Sequence, residues 1–275
     1  MNLLKDEGWD CRYYSSKDDF TIEEEVKMLI VAGGDGTVRK AATKIAKMDH
    51  KPLIAVLPMG TANNIAQTLG FGTGSVEETI KSWTSSEVKV QVVDTGFLSY
   101  GKEKLFFLEG VGMGLFPDLI ITMQKEEKRK ELTGKDSLKL ALEKMYGLSK
   151  TAEAKYCELT IDGQNWSGNY LMIEILNMQR IGPGLELAPS ADLNDGLIDV
   201  MLVPENDKQN LQTYLQNKFE AGRDIYSFPV VRGKQVEIKW QDDHIHIDDQ
   251  LIKVKKGADL QIDMVKDSLS FIARK

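Results

Sequence analysis

Three glycines surround one aspartate in residues 31–42, VAGGDGTVRKAA, between an apolar run and an amphipathic one. Glycine weakens the interior of a helix or strand, so such a cluster marks a sharp turn or a close approach of the backbone to another group. The apolar run before it, residues 26–32, is rich in branched side chains and predicts a buried strand. After it, apolar residues recur at helical spacing at Val38, Ala41, Ala42, Ile45 and Ala46. The stretch therefore predicts a strand, a tight turn and a helix.

A second apolar run, residues 53–58, predicts the parallel partner strand of a βαβ unit. It leads into the loop PMGTANN at residues 58–64, after which a helix is predicted with Thr61 as N-cap and Gly70 as stop. Loops that follow neighbouring parallel strands meet at one edge of the sheet. The two glycine-containing loops therefore predict a single site.

The chain after about residue 88 reads as short strands separated by turns, typical of a sandwich or barrel. We predict strands at 104–108, 156–161, 170–176 and 236–240, a hairpin turn at Asp162-Gly163, and helices at 138–148 and 211–219. A further helix is predicted to begin at Ser75, which has capping-box spacing with Glu78. The charged run KEEKRKE at 125–131 is predicted to be a solvated helix face or loop. The fold class is an α/β domain followed by a mainly antiparallel, sandwich-like β domain.

Composition limits the possible functions. The 275 residues are 42% hydrophobic, enough for the cores of two domains, and the net charge of −7 argues against general nucleic-acid binding. Two cysteines, Cys11 and Cys157, form neither a disulfide framework nor a metal motif, so a reducing cytoplasm is expected. No run of roughly 18 apolar residues or basic-then-apolar leader is visible. Any membrane contact is therefore expected to be peripheral.

The turn Gly33–Thr37 has the chemistry of an anion site. Free backbone N–H groups and the positive end of a helix favour an anion, and missing side chains let phosphate approach the backbone. Asp35 would repel a bare phosphate, so its presence fits a Mg²⁺ ion held directly or through water. The structural alternative is an aspartate that caps a tight glycine turn.

A third motif, residues 182–200, reads GPGLELAPSADLNDGLIDV. Asp192 and Asp195, with the Leu197 carbonyl, offer hard oxygen ligands suited to Mg²⁺ or Ca²⁺. The structural alternative is an Asx-rich turn before a strand at residues 197–203.

With these three motifs, GGDGT, PMGTANN and the 182–200 stretch, nearly the whole chain resembles the diacylglycerol kinase catalytic family. The resemblance implies an ATP- and Mg²⁺-dependent kinase that phosphorylates a lipid hydroxyl at a membrane surface. It implies a nucleotide-binding domain at 1–92, completed by 267–275, and a β-rich lipid- and metal-binding domain at 93–266. It implies a nucleotide site formed by Gly33, Gly34, Asp35, Gly36, Thr37, Val38, Arg39, Gly60, Thr61 and Asn63, and a structural magnesium at Asp192, Asp195 and Leu197.

Several positions depart from the family pattern. The usual first strand and its phosphate loop are not visible before Met1-Asn2, and Gly114 stands where an acidic residue is usual. Gln250 replaces a glutamate proposed as the general base, and an amide is a poor proton acceptor near neutral pH. Asp248 is therefore the substitute candidate base. Asn64, where many members have aspartate, is a milder change.

Three other hypotheses stay open from the sequence. His244, His246 and Asp248 alternate along one predicted strand, which allows a metal site, but solvent-facing polar residues are the preferred interpretation. A catalytically weak or inactive relative that binds nucleotide or lipid is the main functional alternative to a kinase. A phosphotransferase similar to NAD kinase is the second, although its later motifs differ.

Overall fold

A computed structural model of the chain describes residues 2–6, 8–15, 20–72, 74–83, 85, 88–127 and 134–275. The chain divides into two compact units. Met1–Val93 and Asp267–Lys275 form the first unit, and Asp94–Lys266 form the second unit. The chain therefore leaves the first unit once and returns to it at its end.

The first unit contains short helices and a small group of strands. Its helices are α1 (Asn2–Asp6), α2 (Asp35–Ile45), α3 (Asn64–Thr68) and α4 (Val76–Ser82). Its strands are β1 (Met28–Gly33), β2 (Leu53–Pro58), the first part of β3 (Val88–Tyr100) and the last part of β16 (Asp259–Arg274). Strands β1 and β2 pair in parallel from Met28 and Leu53 to Gly33 and Pro58. The predicted βαβ unit is confirmed.

The first helices follow their sequence patterns. Helix α2 buries Val38, Ala41, Ala42 and Ile45, because residues three and four apart share one face of a helix. Helix α4 begins with the predicted capping box, in which the Ser75 hydroxyl accepts the Glu78 N–H at 3.1 Å. The Glu78 carboxylate accepts the Ser75 N–H at 2.7 Å in return. Both predictions are confirmed.

Helix α3 begins later than predicted. Its N-cap is Asn63, in the left-handed conformation with φ +54°, and not Thr61. The Asn63 side chain bonds the backbone of Gly60 in both directions, accepting its N–H at 2.8 Å and donating to its carbonyl at 3.0 Å. This local ring replaces the helical turn expected after Thr61.

The second unit is a β structure that, in its described residues, also contains three α-helices. Its strands are the rest of β3, β4 (Glu103–Phe107), β5 (Gly110–Gly114), β6 (Lys155–Ile161), β7 (Gln164–Asn165), β8 (Gly168–Leu176), β9 (Arg180–Ile181), β10 (Leu185–Glu186), β11 (Ile198–Pro204), β12 (Val230–Gly233), β13 (Gln235–Trp240), β14 (His244–Ile247), β15 (Gln250–Lys253) and the first part of β16. Its helices are α5 (Leu115–Glu127), α6 (Gly134–Thr151) and α7 (Lys208–Ala221), the last preceded by a 3₁₀ turn at Glu205–Asp207.

Strand β8 is the centre of the second unit. Antiparallel neighbours run in the order β15, β14, β5, β8, β11, β12, and the start of β8 also pairs with β6, which pairs with β13. Alternate β8 residues face two cores, since successive strand side chains point to opposite faces. Ile173 and Ile175 lie in a core between strands, whereas Met172 and Leu176 pack on the side of helices α5, α6 and α7. The predicted fold class is confirmed.

The hairpin turn predicted at Asp162-Gly163 is confirmed, since both residues have positive φ and join β6 to β7. The sequence patterns do not predict α5 before residue 125, because the first residues of this helix follow a glycine-rich strand. The charged run at residues 125–131 begins in the last turn of α5, and residues 128–131 lie outside the described part of the chain.

The prediction that His244, His246 and Asp248 face solvent is wrong. His246 is 0% exposed and Asp248 is 3% exposed. Asp248 also lies beyond the end of β14, in a turn with φ +50°, so the three residues do not form one strand face. Only His244 is partly exposed, where it pairs with Asp243.

Candidate active site

The two glycine-containing loops of the first unit touch. The Met59 N–H donates to the Gly33 carbonyl at 3.0 Å, which extends the parallel pairing past the ends of β1 and β2. A Cβ on Gly34 or on Gly60 would collide with the Cα of the other residue. Glycine is therefore required at both positions, and the loops that the sequence predicted to converge are brought together.

Asp35 links the same two loops. Its Oδ1 accepts the N–H of Ile65 at 3.0 Å, so the first turn of α2 is tied to the first turn of α3. Asp35, Gly36 and Thr37 are half-buried, which leaves part of this turn accessible. Of the predicted nucleotide residues, Val38 faces the core at 1% exposure and its N–H donates to the Gly34 carbonyl. This loop cluster can accept an anion at the start of α2.

Asp248 holds a turn of the second unit. Its carboxylate accepts the N–H groups of Leu108, Glu109 and Gly110 at 3.1, 2.8 and 3.0 Å. A carboxylate fixed by three backbone donors is suited to hold the turn and poorly placed to receive a substrate proton. Gln250, the other candidate near this position, is exposed on β15.

Two residues that the sequence did not single out extend this buried network. Asn177 donates from Nδ2 to the carbonyls of Asp94 at 2.8 Å and Leu108 at 2.9 Å. Asp94 accepts the Gly196 N–H at 2.7 Å through Oδ2. The turn held by Asp248 and the loop at residues 192–197 are therefore joined by hydrogen bonds. Only the register of distant strands brings these groups together, so no sequence signal marked them.

The 192–197 loop gathers negative charge. Asp192 and Asp195 each accept one local N–H, from Asn194 at 3.0 Å and from Leu197 at 2.9 Å, as in Asx turns. Burial raises the pKa of the neighbouring Asp199, Arg232 lowers it, and Asp195 and Asp192 raise it further. In the part of the chain that the structure describes, no three His, Cys, Asp or Glu side chains form a metal cluster. Two carboxylates and a carbonyl still suit a Mg²⁺ ion, which keeps several waters.

A cavity of about 240 Å³ lies beside the start of α5. It is lined by the apolar residues Leu115, Leu148 and Leu171 and by Asp118 and Lys155, among others. Burial raises the pKa of Asp118, Lys155 and His244 lower it, and Asp242 raises it, with a net increase. Asp118 lies four residues after Gly114, where the sequence lacked its expected acidic residue. The sequence signal that could have identified Asp118 is an acidic residue in the first turn of the helix that follows Gly114.

Comparisons with known proteins match both parts of the chain. Residues 19–96 match the model of the diacylglycerol kinase catalytic domain, and residues 128–264 match that of the YegS C-terminal NAD kinase beta sandwich-like domain. A probable lipid kinase YegS-like protein of Pseudomonas fluorescens is 30% identical over 251 residues, 90% of this chain and 74% of that protein. The diacylglycerol kinase of Bacillus subtilis is 26% identical over 192 residues, 70% of this chain and 59% of that protein.

Solved structures share the fold. A diacylglycerol kinase from Bacillus anthracis matches with a TM-score of 0.64 at 20% identity, over 91% of this chain and 77% of that chain. An NAD kinase from Archaeoglobus fulgidus in complex with ATP matches with a TM-score of 0.51 at 15% identity, over 100% of this chain and 87% of that chain.

Proposed function

The chain belongs to the diacylglycerol kinase catalytic-domain family of lipid kinases, and we propose that it transfers the γ-phosphoryl group of ATP to a lipid hydroxyl in a Mg²⁺-dependent reaction. The observation that carries this proposal is the contact between Gly34 and Gly60. It creates a side-chain-free surface where two loops meet beyond parallel strands, and phosphate groups can approach the backbone there.

The nucleotide is proposed to bind with its phosphates at the turn Gly33–Thr37. The start of α2 offers a positive dipole end, and phosphoryl transfer depends mainly on positioning and on neutralising charge. Mg²⁺ supplies that neutralisation when it is bound to the triphosphate. Asp35 then serves two purposes, because one oxygen holds the Ile65 N–H while its charge orients the metal-bound phosphates. Arg39, Thr61 and Asn63 are the further proposed contacts.

The 192–197 loop is proposed to hold a structural Mg²⁺ through Asp192, Asp195 and the Leu197 carbonyl. The donor set consists of hard oxygen atoms. Burial is the main cause of the raised pKa of the neighbouring Asp199, and the charges of Asp195 and Asp192 raise it further. A cation there would relieve the repulsion and stiffen the loop joined to Asp94 and Asn177.

The lipid hydroxyl is proposed to approach Asp118 and not Asp248 or Gln250. A general base works best when its pKa lies near the working pH, and Asp118 is a half-buried carboxylate whose pKa is raised beside a cavity lined by both apolar and polar residues. Asp248 is already occupied by three backbone N–H groups. A lipid headgroup at this cavity would leave its acyl chains in a membrane surface.

The proposed location is therefore the cytoplasmic surface of a membrane. In the described ranges, no helix has both the length and the apolar character needed to cross a bilayer. Peripheral contact during catalysis agrees with a lipid substrate.

The test is transfer of labelled phosphate from Mg·ATP to vesicles made from a mixed lipid extract. We compare the wild type with Asp35→Asn, whose amide oxygen can still accept the Ile65 N–H, and with Asp35→Ala, which cannot. We expect a labelled lipid from the wild type, at least a hundredfold less from both variants, and a lower melting temperature for Asp35→Ala alone.

Other outcomes distinguish the alternatives. Full activity in Asp35→Asn would contradict the role of the Asp35 charge. Nucleotide binding without any labelled lipid would indicate a non-catalytic relative. Label transferred to added NAD would indicate a reaction like that of NAD kinase.

A further inference from the structure

A glutamate and a histidine meet in the middle of the second unit, across a glycine. Gly112 on β5 lies opposite Glu174 on β8 and opposite His246 on β14. Because Gly112 has no side chain, Glu174 Oε2 and His246 Nε2 lie 2.9 Å apart. A Cβ on Gly112 would collide with both side chains. Both are 0% exposed, and the Phe116 ring of α5 packs on the imidazole with centroids 4.8 Å apart.

The hydrogen bonds of this pair determine its proton count. His246 Nδ1 lies 2.9 Å from the backbone carbonyl oxygen of Asp248, which can only accept, so Nδ1 carries a proton. The bond from Nε2 to Glu174 Oε2 then needs a second proton, on either the nitrogen or the oxygen. The pair therefore holds one proton more than a neutral histidine beside a carboxylate.

Loss of that proton would break a bond in a site without water contact. If Nδ1 keeps its proton, the bare Nε2 faces the carboxylate. If the remaining proton moves to Nε2, the bare Nδ1 faces the Asp248 carbonyl. Either arrangement sets two acceptors against each other where both groups are fully buried, which is costly. Glu174 Oε1 is also buried and has no hydrogen-bond partner among the described residues, which favours a neutral or proton-sharing carboxyl over a full charge.

The surroundings agree with this proton count. Burial lowers the pKa of His246 and Glu174 raises it, with a net increase, and burial raises the pKa of Glu174. Asp248, on the same segment as His246, also raises the pKa of the imidazole, and Glu109 lies in the turn that Asp248 holds. Helix α5 presents the ring of Phe116, and β5 places Gly112 opposite both residues of the pair.

We propose that the Glu174–His246 pair shares one buried proton and thereby positions the Asp248 turn. The imidazole fixes the Asp248 carbonyl, and the carboxylate of Asp248 fixes the N–H groups of Leu108, Glu109 and Gly110. Glu174 and His246 are positioning residues, since neither reaches the cavity beside Asp118. The consequence for catalysis rests on the proposed kinase function, whereas the consequence for structure does not.

The sign of the pH dependence follows. In an unfolded chain, the reference pKa is about 6.5 for histidine and about 4.3 for glutamate. Above about pH 6.5 the folded pair holds one proton more than the unfolded chain. The unfolding constant therefore rises about tenfold per pH unit from there until the folded pair itself titrates, and stability is lost as pH rises.

The matched variant is Glu174→Gln. Its amide N–H can donate to a bare Nε2 while Nδ1 still donates to Asp248, so the bonds persist without the shared proton. We expect the alkaline loss of stability in the wild type and its absence in Glu174→Gln. His244→Gln, at the partly exposed histidine, is the control and keeps the wild-type slope.

Two readouts test the pair without any kinase assay. Histidine nitrogen NMR on the wild type is expected to show a protonated Nδ1 in His246 that does not titrate between pH 6 and 8. Amide exchange is expected to show protection at residues 108–110 that falls at alkaline pH in the wild type but not in Glu174→Gln. Titration of His246 near pH 6.5, or equal slopes in both proteins, would overturn the shared proton. The same protection at residues 108–110 in the wild type and in Glu174→Gln at every pH would overturn the positioning role of the pair.

Lipid phosphorylation adds a third readout. If the kinase function holds, the alkaline limb of the kcat profile is expected to move in Glu174→Gln. Absence of lipid phosphorylation would refute the proposed function and leave the NMR and exchange results to decide on the pair.

Discussion

At the scale of single residues, Gly60 is the position where the smallest change has the clearest consequence. Gly60→Ala would place a Cβ against the Gly34 backbone and the Asn63 side chain, so the two loops must separate. We expect weaker Mg·ATP binding by at least tenfold and a lower melting temperature, measured by calorimetry and thermal unfolding.

Gly147→Ala is the matched control for that change. Gly147 is exposed within α6, and nothing lies within 4 Å of an added Cβ. Alanine in a helix interior is favoured over glycine by about 0.5–1 kcal/mol, so stability should rise. Unchanged nucleotide binding in Gly60→Ala would contradict the role assigned to the loop contact.

We expect substitution of Asp248 to lower stability and substitution of Asp118 to lower activity. Asp248→Ala leaves three backbone N–H groups without their acceptor and puts alanine at a positive φ, so we expect a loss of about 2 kcal/mol or more in the free energy of unfolding. Asp118→Asn should lower kcat for lipid phosphorylation with little change in stability. Denaturant unfolding and the phosphate-transfer assay measure the two effects, and a stable Asp248→Ala protein would contradict this distinction.

At the scale of elements, the capping box of α4 is a local device whose strength can be measured. Ser75→Ala removes the acceptor for the Glu78 N–H, and such N-cap losses cost about 1 kcal/mol. Hydrogen bonds from the Ser75 backbone and side chain lower the pKa of Glu78. The Glu78 contribution is therefore present above the pKa of an unfolded glutamate and fades as pH falls through the lower folded value. We expect the Ser75→Ala difference in unfolding free energy to shrink in acid, and an increase in acid would contradict it.

Some elements of the fold could be predicted from the sequence, and others could not. Strand β2, the buried face of α2 and the Asp162-Gly163 turn depend on neighbouring residues, so their patterns were sufficient. The predicted start of α3 was wrong because Asn63 forms hydrogen bonds with Gly60 where the sequence predicted a helical turn. The burial of His246 was missed because it depends on Gly112 and Glu174, which lie far away in sequence and meet only through strand register. Asp94 and Asn177 were missed for the same reason.

At the scale of the whole molecule, the last residues complete the first unit. Leu269, Phe271, Ile272 and Ala273 are buried, and Arg274 N–H donates to the Leu69 carbonyl at 2.9 Å. A chain ending at Lys266 should therefore lose the compact first unit and become sensitive to proteases within residues 20–72. Removal of Lys275 alone is the control and should change little. Protease resistance of the shorter chain would show that the last part of β16, residues 267–274, is dispensable for the first unit.

The return of the chain to its first unit imposes an order on synthesis. Residues 2–93 are made before the second unit, and the end of β16, which pairs Phe271 with Ile54, is made after it. Residues 94–266 come between them, which at typical elongation rates of about 5–20 residues per second takes on the order of ten seconds or more. During that interval β2 pairs with β1 but lacks the strand that pairs with it at Ile54. All of the second unit is made before residues 267–275, whereas the first unit, which carries the proposed nucleotide site, is completed only when those residues have been added.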